Sequence, residues 1–532
     1  VTSSDTVSLP HEQLAAAVDA ARAASGDLTD ALVATSVWSD QMLADAGIPI
    51  IDVPLVSVGG GIGSFVLADY LRVAGMAPDQ MIALGALDRP WDTYEYLTRV
   101  SQIPRPERLR SDAGSTPDNC WGVPSYAYRE FREEKGITKK LAPLWQVFTE
   151  PIFTDYFTPR AGQVFTALER EAARIDYLGH TAKGLVRMIR RRHGGGYFTI
   201  LTPEAGTSPT KRVAYRSTWV HVAVGYPGLR FLPDLQEYRN TYEDFHRVVN
   251  SYEPHEHVYE ELRQRPGTVV VRGNGIVASR VLQRLVDERD QQGSQIQIVH
   301  LVRTYIGESH GPSIFMRRRG RLGWAHQGFN VPKSSWGGQL KSKLERTEGE
   351  ERRALYGLLG GTTTPKRKLW LKQLERGRRE GWYGIVVGTV DSVVPGDGGV
   401  ITNVTTDQGP FAITANYIID ATGLEADISE HRVLADLLEH SGAGRNPLGR
   451  LDVEPSYEIR GTRSGVGRMY ASGAATAGGY FSGVDSFLGL QYVALRIVDD
   501  LADQSFVPRI GVRRSWREWR RWLKHRPPGA GS

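Results

Sequence analysis
The chain has 532 residues, 40% of them apolar, which is material for two or three domains and a large core. No apolar run approaches the ~20 residues of a membrane-spanning helix, and a single cysteine, Cys120, excludes an intrachain disulfide and a C-x-x-C redox pair. Net charge is +5, but Arg509 to Arg526 alone contributes +7, so the body is near neutral and gives no argument for nucleic acid.

Residues 1–50 read as a polar leader with one or two amphipathic helices. His11 to Ala44 is alanine-rich and charged, without a secretory pattern, so the expected location is cytoplasmic. Val53, Leu55, Val56 and Val58 then form a short apolar run of buried parallel-strand type. Gly59-x-Gly61-x-x-Ser64 follows, with a helical pattern from Ile62 to Ala74 that stops at Gly75. Strand, glycine turn and helix make the phosphate-binding half of a dinucleotide fold. Gly59 permits the tight turn, Gly61 lets the backbone approach a pyrophosphate, and Gly63 lies in the same turn. The helix start supplies N–H groups and the positive end of its dipole. Ser64, in place of the third glycine, is small enough to be tolerated.

Met81 to Leu84 reads as the second strand. An acidic residue commonly ends such a strand and binds the adenosine ribose; here that position holds Gly85, and Asp88 is the nearest substitute. Residues 103–131 form a long Pro/Gly/Asp-rich connection, a kind of segment that is often functional. Arg110, Asp112, Asn119 and Trp121 are its substrate-site candidates, the alternative being a surface loop pinned by Trp121. Ala161 to Met188 looks helical throughout. Short strands are expected at Tyr197–Leu201 and Val213–Tyr215, another ends at Ala223-Val224-Gly225, and 236–266 reads as a charged helical or irregular crossing.

A second strand–turn–helix–strand unit starts at Thr268–Val271. It continues through Gly273-x-Gly275-x-x-Ala278 and a helix to Asp290, and ends in the strand Ile296–Val302. Two such units imply two nucleotide cofactors. Arg303 and Thr304 directly follow that strand, and an arginine there can pair with a 2′-phosphate, which favours NADPH over NADH. The alternative for Arg303 is a solvated strand-end charge. Residues 306–375 carry an insert rich in Gly, Lys, Arg and Trp, read as a substrate-facing lid or subdomain. Lys333, Trp336 and Thr362 to Thr364 are its candidate contacts. Strands near Ile385–Val387 and Val400–Val404 lead to Tyr417–Gly423, and Met469–Gly473 precedes a glycine-rich helix start. In the tail, Trp516, Trp519, Trp522 and Leu523 recur at helical spacing opposite arginines. That pattern suits packing on the chain itself or a dimer mate, or contact with an anionic membrane surface.

The two glycine turns, the strand ending in Ala421-Thr422-Gly423 and the Met469–Gly473 segment together resemble the two-dinucleotide-binding-domain flavoproteins. Within these the chain looks most like the class B flavoprotein monooxygenases, which include flavin-containing, N-hydroxylating and Baeyer–Villiger enzymes. The resemblance implies an α/β fold of two Rossmann-like three-layer dinucleotide-binding domains, the FAD domain discontinuous. Residues 51–235 and 415–505 would bind FAD and 236–414 NAD(P)H, with the leader 1–50 and the tail 506–532 outside them. Gly59, Gly61, Gly63, Ser64 and Gly473 would hold FAD, with Asp88 as the ribose substitute. Gly273, Gly275, Ala278, Arg303 and Thr304 would hold NADPH, with NADH as the alternative. Ala223–Gly225 and Ala421–Gly423 would cross between the domains beside the cofactors.

By the same resemblance, NADPH reduces FAD, and reduced flavin with O2 gives a C4a-(hydro)peroxide that passes one oxygen atom to a small nucleophilic substrate. N-hydroxylation of an amine or amino acid is favoured. The departures are specific. Gly85 lacks the ribose carboxylate, and Ala474 stands where many relatives carry an acid on the ribityl chain. Arg247, Ser251 and His255 occupy the Gly, His and Trp places of the Baeyer–Villiger signature, which counts against that chemistry. An FAD dehydrogenase or oxidase and a non-catalytic flavin-binding redox sensor are the alternatives, while a disulfide reductase needs paired thiols. The expected partners are a small-molecule substrate and O2, with homo-oligomerisation left open.

Overall fold
The computed structural model describes residues 25–109, 116–150, 153–154, 157–310, 319–326, 338–359, 364, 368–425 and 427–529. Its architecture is α/β, built on two parallel sheets. In the first, Leu55–Val58 is buried along its whole length. Met81–Gly85 and the start of Thr181–Arg192 flank it on one side, and Trp219–Val222 and Arg468–Ala471 on the other, all in parallel. Thr181–Arg192 runs on into an antiparallel meander with Tyr197–Pro203 and Val213–Ser217. The closing strand, Arg468–Ala471, arrives only after the whole second sheet has been built. Helix Ile62–Ala74 has the expected bounds, stopped by Gly75 at φ 103°, and packs beside helix Phe487–Asp503 in one core.

The second sheet is parallel throughout, in the order Val248–Asn250, Tyr417–Asp420, Gly267–Arg272, Ile296–Val302, Tyr383–Val387. Val269, Val270 and Val271 are fully buried, as an unbroken valine run requires when both sheet faces are covered. Helix Ile276–Gln292 follows the second turn. Three antiparallel strands, Thr389–Gly396, Gly399–Thr406 and Gly409–Ala415, occupy the connection to the Tyr417–Asp420 strand. The chain leaves the first sheet through Gly228–Leu229 and returns through Leu424–Glu425, and these two segments pair antiparallel with each other.

The described part of the insert contains helices Gln339–Arg346 and Gly349–Leu359. They dock on the segment after the closing strand of the first sheet. The Tyr356 hydroxyl donates to the carbonyls of Gly479 at 3.0 Å and Phe481 at 2.8 Å, and the Tyr492 hydroxyl donates to Glu345 at 2.7 Å. The Val512–Leu523 helix packs on its own chain through Trp522, which is buried, while Trp516 and Leu523 are exposed. Among the described residues no helix is long and apolar enough to cross a membrane.

Three expectations for local structure are corrected. Ala161–Met188 is not one helix: it ends at Ile175, where Asp176 takes a left-handed φ of 54°, and Thr181–Arg192 is a strand. The ladder to Met81–Gly85 is long-range and that to Tyr197–Pro203 is a hairpin, and together they override a local pattern that fits either period. Residues 236–266 contain the sheet-edge strand Val248–Asn250, too short to show alternation. The connection from 103 is shorter than expected, because helix Ser125–Glu133 starts directly after Pro124 and buries Tyr126, Ala127 and Glu130. Of the leader, residues 1–24 lie outside the described residues. Helices Asp30–Ala34 and Asp40–Asp45, capped by the side chains of Thr29 and Ser39, flank a short strand, Val37–Trp38.

Candidate functional site
The first glycine turn is shaped by close backbone approaches. Gly59 sits at φ 127°, and a Cβ there would lie 2.2 Å from the Ala223 carbonyl oxygen. Gly60 sits at φ 61° against Gly85. A Cβ on Gly63 would meet the Ala223 Cβ and the Ser472 Oγ, each at 3.1 Å. Gly61 is the helix N-cap and supplies no side-chain cap, so the first-turn N–H groups remain available to an anion. Such a cradle, which any Cβ would fill, fits the pyrophosphate of FAD. Gly473, at φ 77°, opens the buried turn Gly473–Thr476 after the closing strand.

Gly85 has a packing reason. A Cβ at this position would lie 2.8 Å from the Gly59 carbonyl oxygen and 3.1 Å from the Gly60 Cα, so the strand end is pressed against the turn and an acidic side chain has no room. Asp88, the proposed substitute, is exposed and its carboxylate is engaged by Lys183 on the neighbouring strand. Hydrogen bonding to that ammonium holds Asp88 below the usual carboxylate range.

Ser64 is more than a tolerated glycine replacement. Its Oγ accepts from the Ser57 Oγ at 2.8 Å, Ser57 meets the His221 Nδ1 at 2.9 Å, and the His221 Nε2 meets the Ser472 Oγ at 2.9 Å. All four residues are buried. Burial lowers the His221 pKa to about 3, so the ring is neutral. With Ser57 donating to Ser64, the imidazole donates from Nδ1 and accepts the Ser472 proton at Nε2. The chain of hydrogen bonds joins the helix start, two adjacent strands and the residue before Gly473.

The second turn repeats the plan. Gly273 sits at φ 124°, with a Cβ placed 2.4 Å from the Ala421 carbonyl oxygen, and Gly275 is an N-cap without a side-chain cap. Ala278 is fully buried in the first turn of the helix. Beneath the turn the His300 Nε2 donates to the Gly273 carbonyl at 2.7 Å, while Nδ1 accepts from the Tyr383 hydroxyl at 3.1 Å. His300 stacks on Trp324 with ring centres 4.8 Å apart, and burial lowers its pKa to about 4. Arg303 and Thr304 are exposed directly beyond the strand, where a guanidinium is open to a phosphate. Thr364 is not open: it is buried and donates to the Ser279 Oγ at 3.0 Å.

At the return crossing, the Asp420 Oδ1 accepts from the Thr422 N–H at 3.0 Å and the Thr422 hydroxyl at 2.6 Å, and Oδ2 accepts from the Leu232 N–H at 3.1 Å. One buried carboxylate therefore ties the outgoing and returning segments together. Ala421 abuts Gly273, and Gly423 takes φ 129° at the exit. Burial, opposed by these donors, raises the Asp420 pKa.

Four residues that sequence pattern did not single out meet at the junction of the two sheets. The Tyr226 hydroxyl, in the outgoing crossing, donates to Asp485. Burial and then Asp485 raise the phenol of Tyr252, beside the edge strand of the second sheet, to about 12. Tyr94 packs edge-on against Phe487 with ring centres 5.2 Å apart, and burial raises its pKa. These side chains come from four separated segments, and none belongs to a motif. The candidates of the 103–131 connection fall elsewhere. The Asn119 carbonyl accepts from the Gln491 Nε2 at 3.0 Å, and Trp121 packs on Trp522 at 5.5 Å, so both anchor the loop to C-terminal helices. Arg110, Asp112, Lys333, Trp336, Thr362 and Thr363 lie outside the described residues. Burial and the nearby Asp69 and Glu171 carboxylates raise the Cys120 thiol.

No family model matches the sequence, and no curated protein matches it. Solved structures do. Desferrioxamine-pathway cadaverine monooxygenase DfoA of Erwinia amylovora, bound to FAD, aligns at TM-score 0.62 and 13% identity, over 87% of this chain and 98% of that one. Ornithine N-hydroxylase KtzI of Kutzneria sp. 744, with reduced FAD, NADP+ and L-ornithine, aligns at 0.59 and 13%, over 86% and 100%. Ornithine hydroxylase PvdA of Pseudomonas aeruginosa aligns at 0.58 and 15%, over 84% and 98%. The likeness is one of fold, and it bears out the resemblance to two-dinucleotide-binding-domain flavoproteins at that level.

Proposed function
We propose that the protein is an FAD-dependent, NADPH-using monooxygenase that transfers one oxygen atom from O2 to a small nucleophilic substrate, by N-hydroxylation of an amine or amino acid. The observation that carries this reading is the duplicated turn: two glycine cradles of like geometry, on two parallel sheets, joined by a paired crossing. The fold shared with N-hydroxylating flavoenzymes supports a reading that includes oxygen transfer among the flavin chemistries open to it. The lone cysteine removes the dithiol that a disulfide reductase needs.

FAD, when bound at the first turn, supplies the redox and oxygen chemistry, with NADPH at the second turn as hydride donor. The chain's own residues bind and orient. Gly59, Gly61 and Gly63 bring backbone N–H groups against the flavin nucleotide's pyrophosphate, with Gly473 at the start of the next turn. Gly273, Gly275 and Ala278 would do the same for NADPH, and Arg303 would hold its 2′-phosphate through a charge-assisted contact. Tyr94, Tyr226 and Tyr252 keep their phenol protons, because desolvation of the hydroxyls disfavours the phenolate. Asp485 fixes the Tyr226 hydroxyl by accepting its proton in a hydrogen bond.

The test is to reduce the FAD-loaded protein with NADPH under argon, admit O2 with a panel of amines, and count hydroxylated amine against hydrogen peroxide. Product matching the NADPH consumed is the expected result. Peroxide alone would move the assignment to an oxidase or dehydrogenase, and a protein that retains no FAD would not be a flavoenzyme. Arg303→Gln should raise KM for NADPH roughly tenfold while leaving KM for NADH unchanged.

A further inference from the structure
Between the insert helix Gly349–Leu359 and the turn at 445–452 lies a cavity of about 450 Å³, within the range of small-molecule sites. Arg352, Arg353, Arg445 and Arg460 line it, with Glu348 and Asp452 as its acids. Both acids are occupied. Arg460 reaches Glu348 at 3.4 Å and Asp452 at 3.8 Å, and Glu348 also accepts from the Tyr480 hydroxyl at 3.0 Å. Arg352 forms no ion pair of its own among the described residues and shares the charge of Glu348 with Arg460. It is only 7% exposed, its guanidinium carbon lies 3.8 Å from the centre of the Tyr480 ring, and its Nε has no hydrogen-bond partner. Its guanidinium donates to the Thr347 carbonyl and meets the Tyr480 hydroxyl. Arg353 and Arg445 pair with exposed carboxylates outside the cavity, Glu350 at 3.4 Å and Asp427 at 3.3 Å, and Arg445 also donates to the Gly449 carbonyl at 2.7 Å.

A guanidinium drawn out of water needs a counter-charge and filled donors. Among the described residues Arg352 shares its counter-charge and leaves its Nε unfilled, and the four arginines lining the cavity outnumber its two acids. The planar fork of arginine matches the paired oxygens of a carboxylate or a phosphate. We propose that this cavity binds a small anion, presenting a carboxylate or phosphate group to Arg352, Arg353 and Arg445. The site is separate from both glycine turns, and it stands whether or not the protein oxygenates amines. Its walls come from both halves of the molecule: Arg352 and Arg353 from the insert, Arg445 and Gly478 from the segments around the closing strand of the first sheet. An anion held there bridges the insert to the first domain.

The test is calorimetric titration of the full-length, FAD-bound protein in low-chloride buffer, with inorganic phosphate, succinate and NADP+ as separate titrants. Phosphate or succinate should bind at one site with a Kd on the order of 1 mM or tighter. Arg353→Gln and Arg445→Gln, both at partly exposed side chains, should each weaken binding about tenfold with FAD content unchanged. Arg352→Gln should abolish binding; should it misfold, the other two variants decide. Binding of phosphate alone assigns a phosphoryl ligand, and of succinate alone a carboxylate one. No heat with either up to on the order of 10 mM, or affinity unchanged in both Arg353→Gln and Arg445→Gln, overturns the site. So does binding that is competed by NADP+ and lost in Arg303→Gln, which would place the anion at the second glycine turn.

Discussion
At Gly85 the missing acid and the tight turn have one cause: the strand end and the Gly59–Gly60 backbone occupy the space that a side chain would need. Gly85→Ala should therefore leave the fold intact and weaken FAD binding about tenfold, measured by the return of free-flavin fluorescence on dilution; wild-type affinity would mean that the turn opens at no cost. The neutral histidines give a second prediction. Below the free-histidine value of ~6.5 the unfolded chain takes up a proton that buried His221, at about 3, refuses. Its contribution to stability is thus complete above that pH and is lost on acidification, by up to about 1.4 kcal/mol per pH unit. Urea unfolding of His221→Gln between pH 6 and pH 4 should show a slope shallower by about that amount; an equal slope would mean that the folded ring protonates too. None of this was legible in the sequence. Ser64 looked like a stand-in for glycine, because its partners belong to other strands: Ser57 and His221 are 164 residues apart, and His221 and Ser472 are 251.

Elements were legible where local chemistry alone decides them. Ile62–Ala74 carries its own stop in Gly75, and Ile296–Val302 its own apolar run, and both have the bounds read from pattern. Thr181–Arg192 and Val248–Asn250 were not, since each pairs with a strand far away in the chain, Met81–Gly85 and Tyr417–Asp420. The insert shows the same division: neither the bounds of its two helices nor their docking through Tyr356 could be read from pattern. Tyr356→Phe removes a hydroxyl that two carbonyls accept from. It should weaken that docking by roughly 1–2 kcal/mol, seen as faster amide exchange confined to the Gly349–Leu359 helix. Exchange that quickens across the second sheet as well would show that the helix is not a separate docking unit. The tail is held by a buried indole, with the Trp522 Nε1 donating to the Asp118 carbonyl at 3.2 Å. Trp522→Ala should cost about 3–5 kcal/mol and expose the Val512–Leu523 helix to protease before the rest of the chain.

Among the described residues, three ties between the two sheets stand out. The crossing ladder is one, the docked insert is another, and the third is Arg280, on the helix after the second turn. It meets Glu107 at 3.0 Å and the Gln102 carbonyl at 3.1 Å in the first domain. With these separate ties, hinge rotation would have to break several contacts at once. Adding NADP+ should leave the radius of gyration in solution unchanged, and a compaction seen by small-angle scattering would show that the ties yield. The two-sheet plan itself was visible in the sequence as a repeated glycine motif; the ties were not, because each joins residues whose own segments look like ordinary surface.

Gly59 rests against Ala223 and Gly273 against Ala421, and those two alanines are where the chain departs for the other sheet and where it comes back. Each nucleotide cradle is therefore built on a doorway. Because the outgoing and returning passages are zipped to each other, the molecule contains a closed loop of contacts running from one cradle, through both doorways, to the other. Neither can be reshaped in isolation.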